Sequence, residues 1–158
     1  VQMCAEVVRN AADLRAIPCA SAQQVLEWLQ VSGKLLWIIT GNLEPIGWAK
    51  LEAAGLRDYF EFGGFSCHLD LNGKRLDRAV LRFERRAEIL AHAVAQVRDR
   101  LGSSASICVV GDTPNDIHAA RELGLPIIAV ATGTFPRGQL EPLSPDLCLD
   151  CLDELLTD

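Results

Sequence analysis

Apolar residues along the chain fall either in short continuous runs or in stripes with helical spacing. Short runs bounded by turns are typical of strands buried in a parallel sheet. They occur at 35–40, 107–110 and 127–131. Stripes with a period near 3.6 predict helices over about 21–32, 44–54, 89–101 and 116–123. Because runs and stripes alternate, the pattern predicts an α/β fold with a mainly parallel sheet.

The remaining segments give weaker signals. Ser21 followed three residues later by Gln24 predicts a capping box at the start of the first helix. A last edge strand is expected at 147–149, and a short terminal helix from about residue 152. Residues 56–84 contain aromatic, glycine-containing and arginine-rich stretches without a clear period, so the sequence predicts no element there.

Charge and composition exclude several classes of protein. The chain has 158 residues, with 15 Lys and Arg against 21 Asp and Glu, which gives a net charge of −6. No basic run offsets this charge, so a nucleic-acid or anionic-membrane surface is not expected. The longest uncharged stretch, 123–136, is shorter than the roughly 20 residues of a spanning helix. Charged residues within the first twenty argue against a secretory signal, and we expect a cytoplasmic protein.

Six scattered cysteines fit a reducing compartment. Cys148 and Cys151 form a single C-x-x-C motif, but neither a second pair nor a following histidine completes a metal site. We therefore interpret the motif as the end of a strand that runs into a short helix.

Polar residues follow the first apolar run directly. Thr40, Gly41 and Asn42 offer a hydroxyl group, close access to the backbone and free amides at the start of a helix, which suits a phosphate oxygen. A plain strand-to-helix connection with Asn42 as the cap remains an alternative.

The second apolar run is followed by the loop 111–116, which carries Asp112 and Asp116. Two hard oxygen ligands close together suit Mg²⁺, although carboxylates at a helix start also act as ordinary caps. The carboxyl ends of parallel strands meet at one edge of a sheet. We therefore expect a cation there that bridges these carboxylates and a phosphate held by the turn at 40–42.

Three segments resemble the haloacid dehalogenase superfamily, particularly its phosphatases of the phosphoglycolate phosphatase type. They are I-I-T-G-N at 38–42, G-D-T-P-N-D at 111–116 with its continuation to Gly133, and the ending P-D-L-C-L-D-C-L-D-E-L-L at 145–156. The similarity covers about 19–158. It implies a Rossmann-like core and a magnesium-dependent hydrolase that acts on a small phosphomonoester through an aspartyl-phosphate.

The resemblance also implies roles for single residues. Thr40 would hold the transferring phosphoryl group through its hydroxyl group, with help from the amides of Gly41 and Asn42. Asp112 would be the Mg²⁺ ligand, and Asp116 the partner that binds or orients its waters.

A lone basic residue that offsets the charge on nucleophile and phosphate is a further part of the family's site. The segment E-R-R-A-E-I-L at 84–90 resembles its context, and Arg86 is our assignment, with Arg85 as the alternative. An arginine in such a stretch is also commonly a solvated surface residue. His92 and His118 are interpreted as packing or surface residues.

One part of the family's pattern is missing. The D-x-D motif supplies the nucleophile and the general acid, but no two aspartates of this chain are separated by two positions. The resemblance implies that residues 1–18 are a remnant of the helical cap, that 19–158 form the core, and that the central strand with the motif is absent. The strands ending near Thr40 and Val110 should then have unpaired inner edges.

Three explanations remain for this gap: a fragment, a partner chain that supplies the strand, or a rearranged sheet. The start at Val1, with the first methionine at position 3, favours a fragment. We expect a phosphatase of small phosphorylated metabolites that is inactive as this chain alone. The alternatives are a non-catalytic binding or assembly module that forms homodimers through its sheet edges, and a 2-haloacid dehalogenase.

Overall fold

The computed structural model describes residues 16–66 and 80–156, with the side chains of 80–85 left aside. Helices and strands alternate along most of this part of the chain, as the apolar pattern predicts. The elements are α1 (Ala22–Val31), β1 (Trp37–Ile39), α2 (Glu44–Ala53), β2 (Phe62–Gly64), α3 (Val80–Leu101), β3 (Val109–Gly111), α4 (Pro114–Glu122), β4 (Ile127–Val130), α5 (Arg137–Leu140) and β5 (Leu147–Leu149). Short 3₁₀ turns lie at Arg57–Tyr59, Glu141–Leu143 and Leu152–Leu156.

The strands of the described residues form two parallel sheets. In the first sheet, β1 pairs with β2, and Ile38 lies opposite Gly63. In the second sheet the order is β3-β4-β5, and Val110 lies opposite Ile128. This arrangement confirms the predicted α/β class with a parallel sheet.

Among the described residues, no strand connects the two sheets. Within 16–66 and 80–156, β1 pairs only with β2 and β3 pairs only with β4. Ile39 nevertheless packs against the hydrophobic core that contains the second sheet, so the end of β1 lies beside that core. The unpaired inner edges that the sequence predicts are therefore present in the described part of the chain.

The hydrophobic core is centred on the second sheet. Ile127, Ala129, Ala120 and Leu140 are fully buried there, and α3 covers them with Leu90 and Val94 among other residues. The three residues of β1 are only half-buried, although a strand buried on both faces was the prediction. A strand with a single neighbour leaves one side open, which accounts for the difference.

A close helix–strand contact connects α3 to the first sheet. A Cβ atom at Gly64 would lie 2.8 Å from the carbonyl oxygen of Ile89 and 3.2 Å from the Cβ of Ala93. Such distances leave no room for a side chain, so glycine allows α3 to lie directly on β2.

Several boundaries differ from the prediction. The helix α3 begins at Val80, whereas the sequence predicts its start at 89. The prediction is late because the arginine-rich first turns have no apolar period. The sequence predicts the start of α4 at 116, but Thr113 caps this helix and Pro114 occupies its first position. β3 begins at Val109, two residues after the start of its apolar run. The sequence pattern did not reveal β2 or α5.

The capping box predicted at Ser21 is wrong. Ser21 has a left-handed backbone with φ of 63°, and its side chain makes no capping hydrogen bond. The amides of Ala22 and Val25 donate instead to the backbone carbonyls of Cys19 and Ser21. The predicted remnant of a helical cap at residues 1–18 lies largely outside the described residues. None of the helices described is both long and apolar enough to cross a membrane.

Candidate active site

The residues singled out from the sequence lie at the carboxyl ends of β1 and β3. Thr40, Gly41 and Asn42 follow β1 directly, and Asp112 follows β3. Arg86 projects from α3 and contacts groups at both strand ends. These loops and this side chain are the candidate active site.

The turn after β1 has a defined hydrogen-bond direction. Thr40 Oγ1 accepts from the backbone N–H of Asn42 at 3.2 Å and from Asn42 Nδ2 at 2.7 Å. A hydroxyl oxygen has two lone pairs, and both are occupied here. The Thr40 hydroxyl hydrogen is therefore left to donate to another acceptor, which suits a phosphate oxygen.

Tertiary contacts fix the position of this turn. The N–H of Thr40 donates to the carbonyl of Gly64 at 3.0 Å, and the N–H of Ser66 donates to the carbonyl of Asn42 at 3.1 Å. On the other side, the Thr40 methyl group lies against Gly47 of α2, which is buried. The turn is thus held between α2 on one side and residues 64–66 on the other.

A capping box closes the loop after β3. The amide and the hydroxyl group of Thr113 donate to Asp116 Oδ2 at 3.1 and 2.7 Å, and the Asp116 amide donates to Thr113 Oγ1 at 3.3 Å. Asp116 is the one charged or polar side chain that is buried among the described residues. Asp116 Oδ2 therefore acts as a helix cap, which is the alternative that the sequence left open for this carboxylate.

Arg86 joins the two strand ends. Its Nε forms an ion pair with Asp116 Oδ1 at 3.0 Å, and its Nη1 donates to the carbonyl of Ile39 at 3.3 Å. The side chains of Arg86 and Asp116 are only 24% and 12% exposed. Arg86 is therefore not a solvated surface arginine, and its positive charge lies next to the Thr40 turn. The Arg85 side chain lies outside the described side chains.

Asp112 differs from Asp116 in the contacts of its carboxylate. In the described part of the chain, no group donates a hydrogen bond to it and no cation pairs with it. A Cβ atom at Gly133 would collide with Asp112 Oδ2, so the loop after β4 packs against this carboxylate. The half-buried oxygens of Asp112 are therefore confined in position but available to a ligand.

This donor set fits Mg²⁺ in one particular way. The described residues contain no group of three or more His, Cys, Asp or Glu side chains that could hold a metal ion. Mg²⁺ is commonly held by one or two carboxylates and completes its octahedron with waters and substrate phosphate. Asp112 fits the role of direct ligand. Asp116, already paired with Thr113 and Arg86, fits the role of an orienting neighbour.

Sequence reasoning missed two residues of the site. Lys50 Nζ donates to Asn42 Oδ1 at 3.1 Å, and Gly133 lies against Asp112. Lys50 gave no signal, because it lies on α2 eight positions after Asn42. Gly133 could have been noticed as the glycine that follows the apolar run of β4.

The other candidate residues have local roles. His92 hydrogen-bonds Gln96 on its own helix at 2.9 Å, and His118 is an exposed residue of α4. Cys148 and Cys151 are free thiols, within β5 and just before the last 3₁₀ turn, so the motif lies where the strand runs into a short helical turn, as predicted. Hydrogen bonding to Asp153, burial and nearby carboxylates raise the pKa of Cys151 to about 11, so its thiol is poorly suited to redox or metal chemistry.

A groove of about 290 Å³ lies at the opposite end of β1. Lys34, Trp37 and Tyr59 are among the residues that line it. Ligands of open α/β sheets bind at the carboxyl ends of the strands, and this groove is at the amino end of β1. It therefore has no part in the site described here.

Solved structures with the same fold come from several bacteria. A haloacid dehalogenase-like hydrolase from Streptococcus pneumoniae has a TM-score of 0.67 and 18% identity, over 87% of this chain and 57% of its own. A predicted phosphatase from Clostridium acetobutylicum has a TM-score of 0.66 and 21% identity, over 86% and 56%. A predicted phosphoglycolate phosphatase from Haemophilus somnus has a TM-score of 0.64 and 20% identity, over 87% and 55%.

The present chain thus spans little more than half the length of these three proteins. A search of curated proteins gives no match. A family model described as haloacid dehalogenase-like hydrolase matches residues 4–124, which is most of the chain. The chain belongs to the haloacid dehalogenase-like hydrolase family.

Proposed function

We propose that this chain supplies the phosphate-binding, metal-binding and charge-balancing parts of a magnesium-dependent phosphatase of small phosphorylated metabolites. The observation that carries the proposal is the position of Arg86. Its guanidinium group contacts the carbonyl of Ile39, next to Thr40, and the carboxylate of Asp116. The positive charge of Arg86 is thus held where a phosphate bound by the Thr40 turn would need charge compensation.

Each residue of the candidate site has a distinct part in this function. The Thr40 hydroxyl group and the amides of Gly41 and Asn42 bind and orient the phosphoryl oxygens. Arg86 offsets their negative charge, and Asp116 keeps its guanidinium group in place. Asp112 would hold Mg²⁺, which supplies charge neutralisation to the transferring phosphoryl group when it is bound.

The nucleophile has to come from outside the described residues. The chain has no D-x-D motif, and within the described residues β1 and β3 are both unpaired on one side. We propose that an added strand occupies this position and ends in the aspartate that forms the aspartyl-phosphate. On this proposal the 158 residues alone do not turn over substrate. Two structural neighbours, a predicted phosphatase and a predicted phosphoglycolate phosphatase, support the choice of reaction.

The free cysteines support a location in the cell. Four cysteines of the described residues, at 19, 108, 148 and 151, are free thiols. Free thiols persist in reducing compartments. We therefore propose the cytoplasm as the place where the protein meets phosphorylated metabolites.

A phosphatase assay with and without Mg²⁺ tests the proposal. It compares the 158-residue chain with a longer chain in which a strand ending in D-x-D precedes residue 1. We expect turnover only by the longer chain and only with Mg²⁺. Asp112→Asn in the longer chain should abolish the magnesium-dependent rate, and the exposed Asp99→Asn on α3 should leave it unchanged. Robust turnover by the 158 residues, or full activity of Asp112→Asn, would contradict the proposal.

The open strand edges favour a second candidate function. Val110 of β3 is 49% exposed although it is apolar, and an unpaired apolar edge promotes pairing with another chain. The candidate is a non-catalytic module that forms homodimers through these edges. Light scattering distinguishes the two functions, because a strict monomer at all concentrations is incompatible with the assembly module.

A further inference from the structure

We infer that Lys50 is a positioning residue that sets the direction of the hydrogen-bond chain ending at the Thr40 hydroxyl group. The inference rests on the proposed function, because it concerns the same phosphate site. Lys50 lies on α2, is exposed and is not part of the strand-end loops. It reaches the site only through Asn42.

The chain of contacts has three members. Lys50 Nζ donates to Asn42 Oδ1 at 3.1 Å. Asn42 Nδ2, the other end of the same amide, donates to Thr40 Oγ1 at 2.7 Å. The amide of Asn42 therefore lies between a donor that cannot accept and a hydroxyl group that can do both.

This placement determines which way the Asn42 amide faces. An ammonium group carries three donors and no acceptor, so only the amide oxygen can face Lys50 favourably. The amide nitrogen must then face Thr40 and donate to it. With the second donor, the backbone N–H of Asn42 at 3.2 Å, both lone pairs of Thr40 Oγ1 are filled.

The direction matters because a phosphate oxygen is an acceptor. In the observed orientation, the Thr40 hydroxyl hydrogen is available to donate to phosphate. If the Asn42 amide is reversed, its oxygen faces Thr40 and accepts that hydrogen instead. Lys50 thus keeps the Thr40 hydroxyl group in the state that can bind a phosphoryl oxygen, although Lys50 itself need not touch the substrate.

Two-dimensional ¹H–¹⁵N NMR of the 158-residue chain tests this role. Inorganic phosphate is titrated in the presence of Mg²⁺, and the backbone amides of Gly41 and Asn42 report binding. The side-chain amide of Asn42, recorded without phosphate, reports its orientation. The variants are Lys50→Met, which removes the donor, and Lys50→Arg, which retains a cationic donor. Lys34→Met, an exposed lysine at the other end of β1, is the matched control.

We expect Lys50→Met to shift the Asn42 side-chain amide signals and to weaken phosphate binding about 10-fold, the loss of roughly one charge-assisted hydrogen bond. Lys50→Arg should restore both, and Lys34→Met should match the unmodified chain. In an Asn42→Ala background, Lys50→Met should have no further effect on phosphate affinity. A lysine that acted only through its charge would still weaken binding there.

The outcomes separate this inference from the proposed function. Unchanged Asn42 amide signals and unchanged phosphate affinity in Lys50→Met overturn the role of Lys50 but leave the phosphate site intact. If phosphate shifts neither the Gly41 nor the Asn42 amide of the unmodified chain, the proposed function fails. The Asn42 side-chain signals in Lys50→Met then still show whether Lys50 orients the amide.

Discussion

The two strand ends that form the candidate site are stabilised in different ways. The loop after β3 is closed by its own residues, because Thr113 and Asp116 bond each other within a four-residue span. The turn after β1 depends on Lys50 of the next helix and on Gly64 and Ser66, which lie 24 positions from their partners Thr40 and Asn42. One half of the site is therefore encoded locally, and the other half forms only when distant segments are in place.

The two sheets also differ in burial, and the sheet of β1 is again the less self-sufficient one. Ile127 of β4 is fully buried between two neighbouring strands, whereas Ile38 of β1 is half-buried in a strand with one neighbour. The central strand of the second sheet is thus well buried within the described residues. The first sheet is the part that an additional strand would stabilise most.

The largest expected effect separates the two sheets by stability. Ile127→Ala should lower the free energy of unfolding by about 3 kcal/mol, since it removes a fully buried side chain from the core. Ile38→Ala should cost only about 1 kcal/mol, because this side chain is half-exposed already. Urea denaturation of both variants checks this. Equal losses would show that the first sheet is as well packed as the second.

The next effect concerns Arg86, which connects the turn after β1 to Asp116 of α4. Arg86→Met should destabilise the fold by about 2 kcal/mol, because it leaves the buried Asp116 oxygen without its cation. Arg86→Lys should recover only part of the loss, since a single ammonium group cannot reproduce the fork that contacts Asp116 and Ile39.

Arg137→Met is the control for this effect. Arg137 pairs with Glu141 and Asp150 at the surface, and such exposed pairs contribute up to about 1 kcal/mol. Denaturant unfolding measures all three variants. A loss for Arg86→Met no larger than that for Arg137→Met would mean that the guanidinium group does not hold the two halves together.

The smallest expected effect concerns Asp112. Gly133→Ala should change stability by less than about 1 kcal/mol but weaken Mg²⁺ binding about 10-fold, because the new methyl group displaces the Asp112 carboxylate. Gly138→Ala is the control, since open space surrounds Gly138. Mg²⁺ titrations monitored by the backbone amides of the 111–113 loop measure the affinity. Unchanged Mg²⁺ binding in Gly133→Ala would indicate that Asp112 does not hold the metal.

The sequence predicted the elements that have local signals and missed those that depend on tertiary contacts. The 111–116 loop, the strand at 127–131 and the edge strand at 147–149 all rest on signals within a few residues, and the structure places elements at each. β2 was missed because Gly63 and Gly64 interrupt its apolar pattern. Gly63 makes room for Ile38 and Phe65, and Gly64 makes room for α3, and no local signal reveals either contact.

The site residues show the same limit. Thr40, Asp112 and Asp116 could be proposed because they follow apolar runs, and Arg86 because its context resembles the family's motif. Lys50 and Gly133 act through side-chain contacts that arise only in the folded chain. The Ser21 error has a similar cause, since a left-handed backbone removes a cap that the residue types alone suggest.

The pair of glycines in β2 has a consequence for charge placement. Because α3 lies against Gly64 at backbone distance, the height of that helix above the first sheet is set by the absence of one methyl group. Arg86 lies on the same helix, three residues before Ile89, while its carboxylate partner Asp116 lies in the first turn of α4. A side chain at position 64 would lift the helix and withdraw the guanidinium group from the Thr40 turn and from Asp116. A residue with no charge and no side chain thus influences the electrostatics of the site.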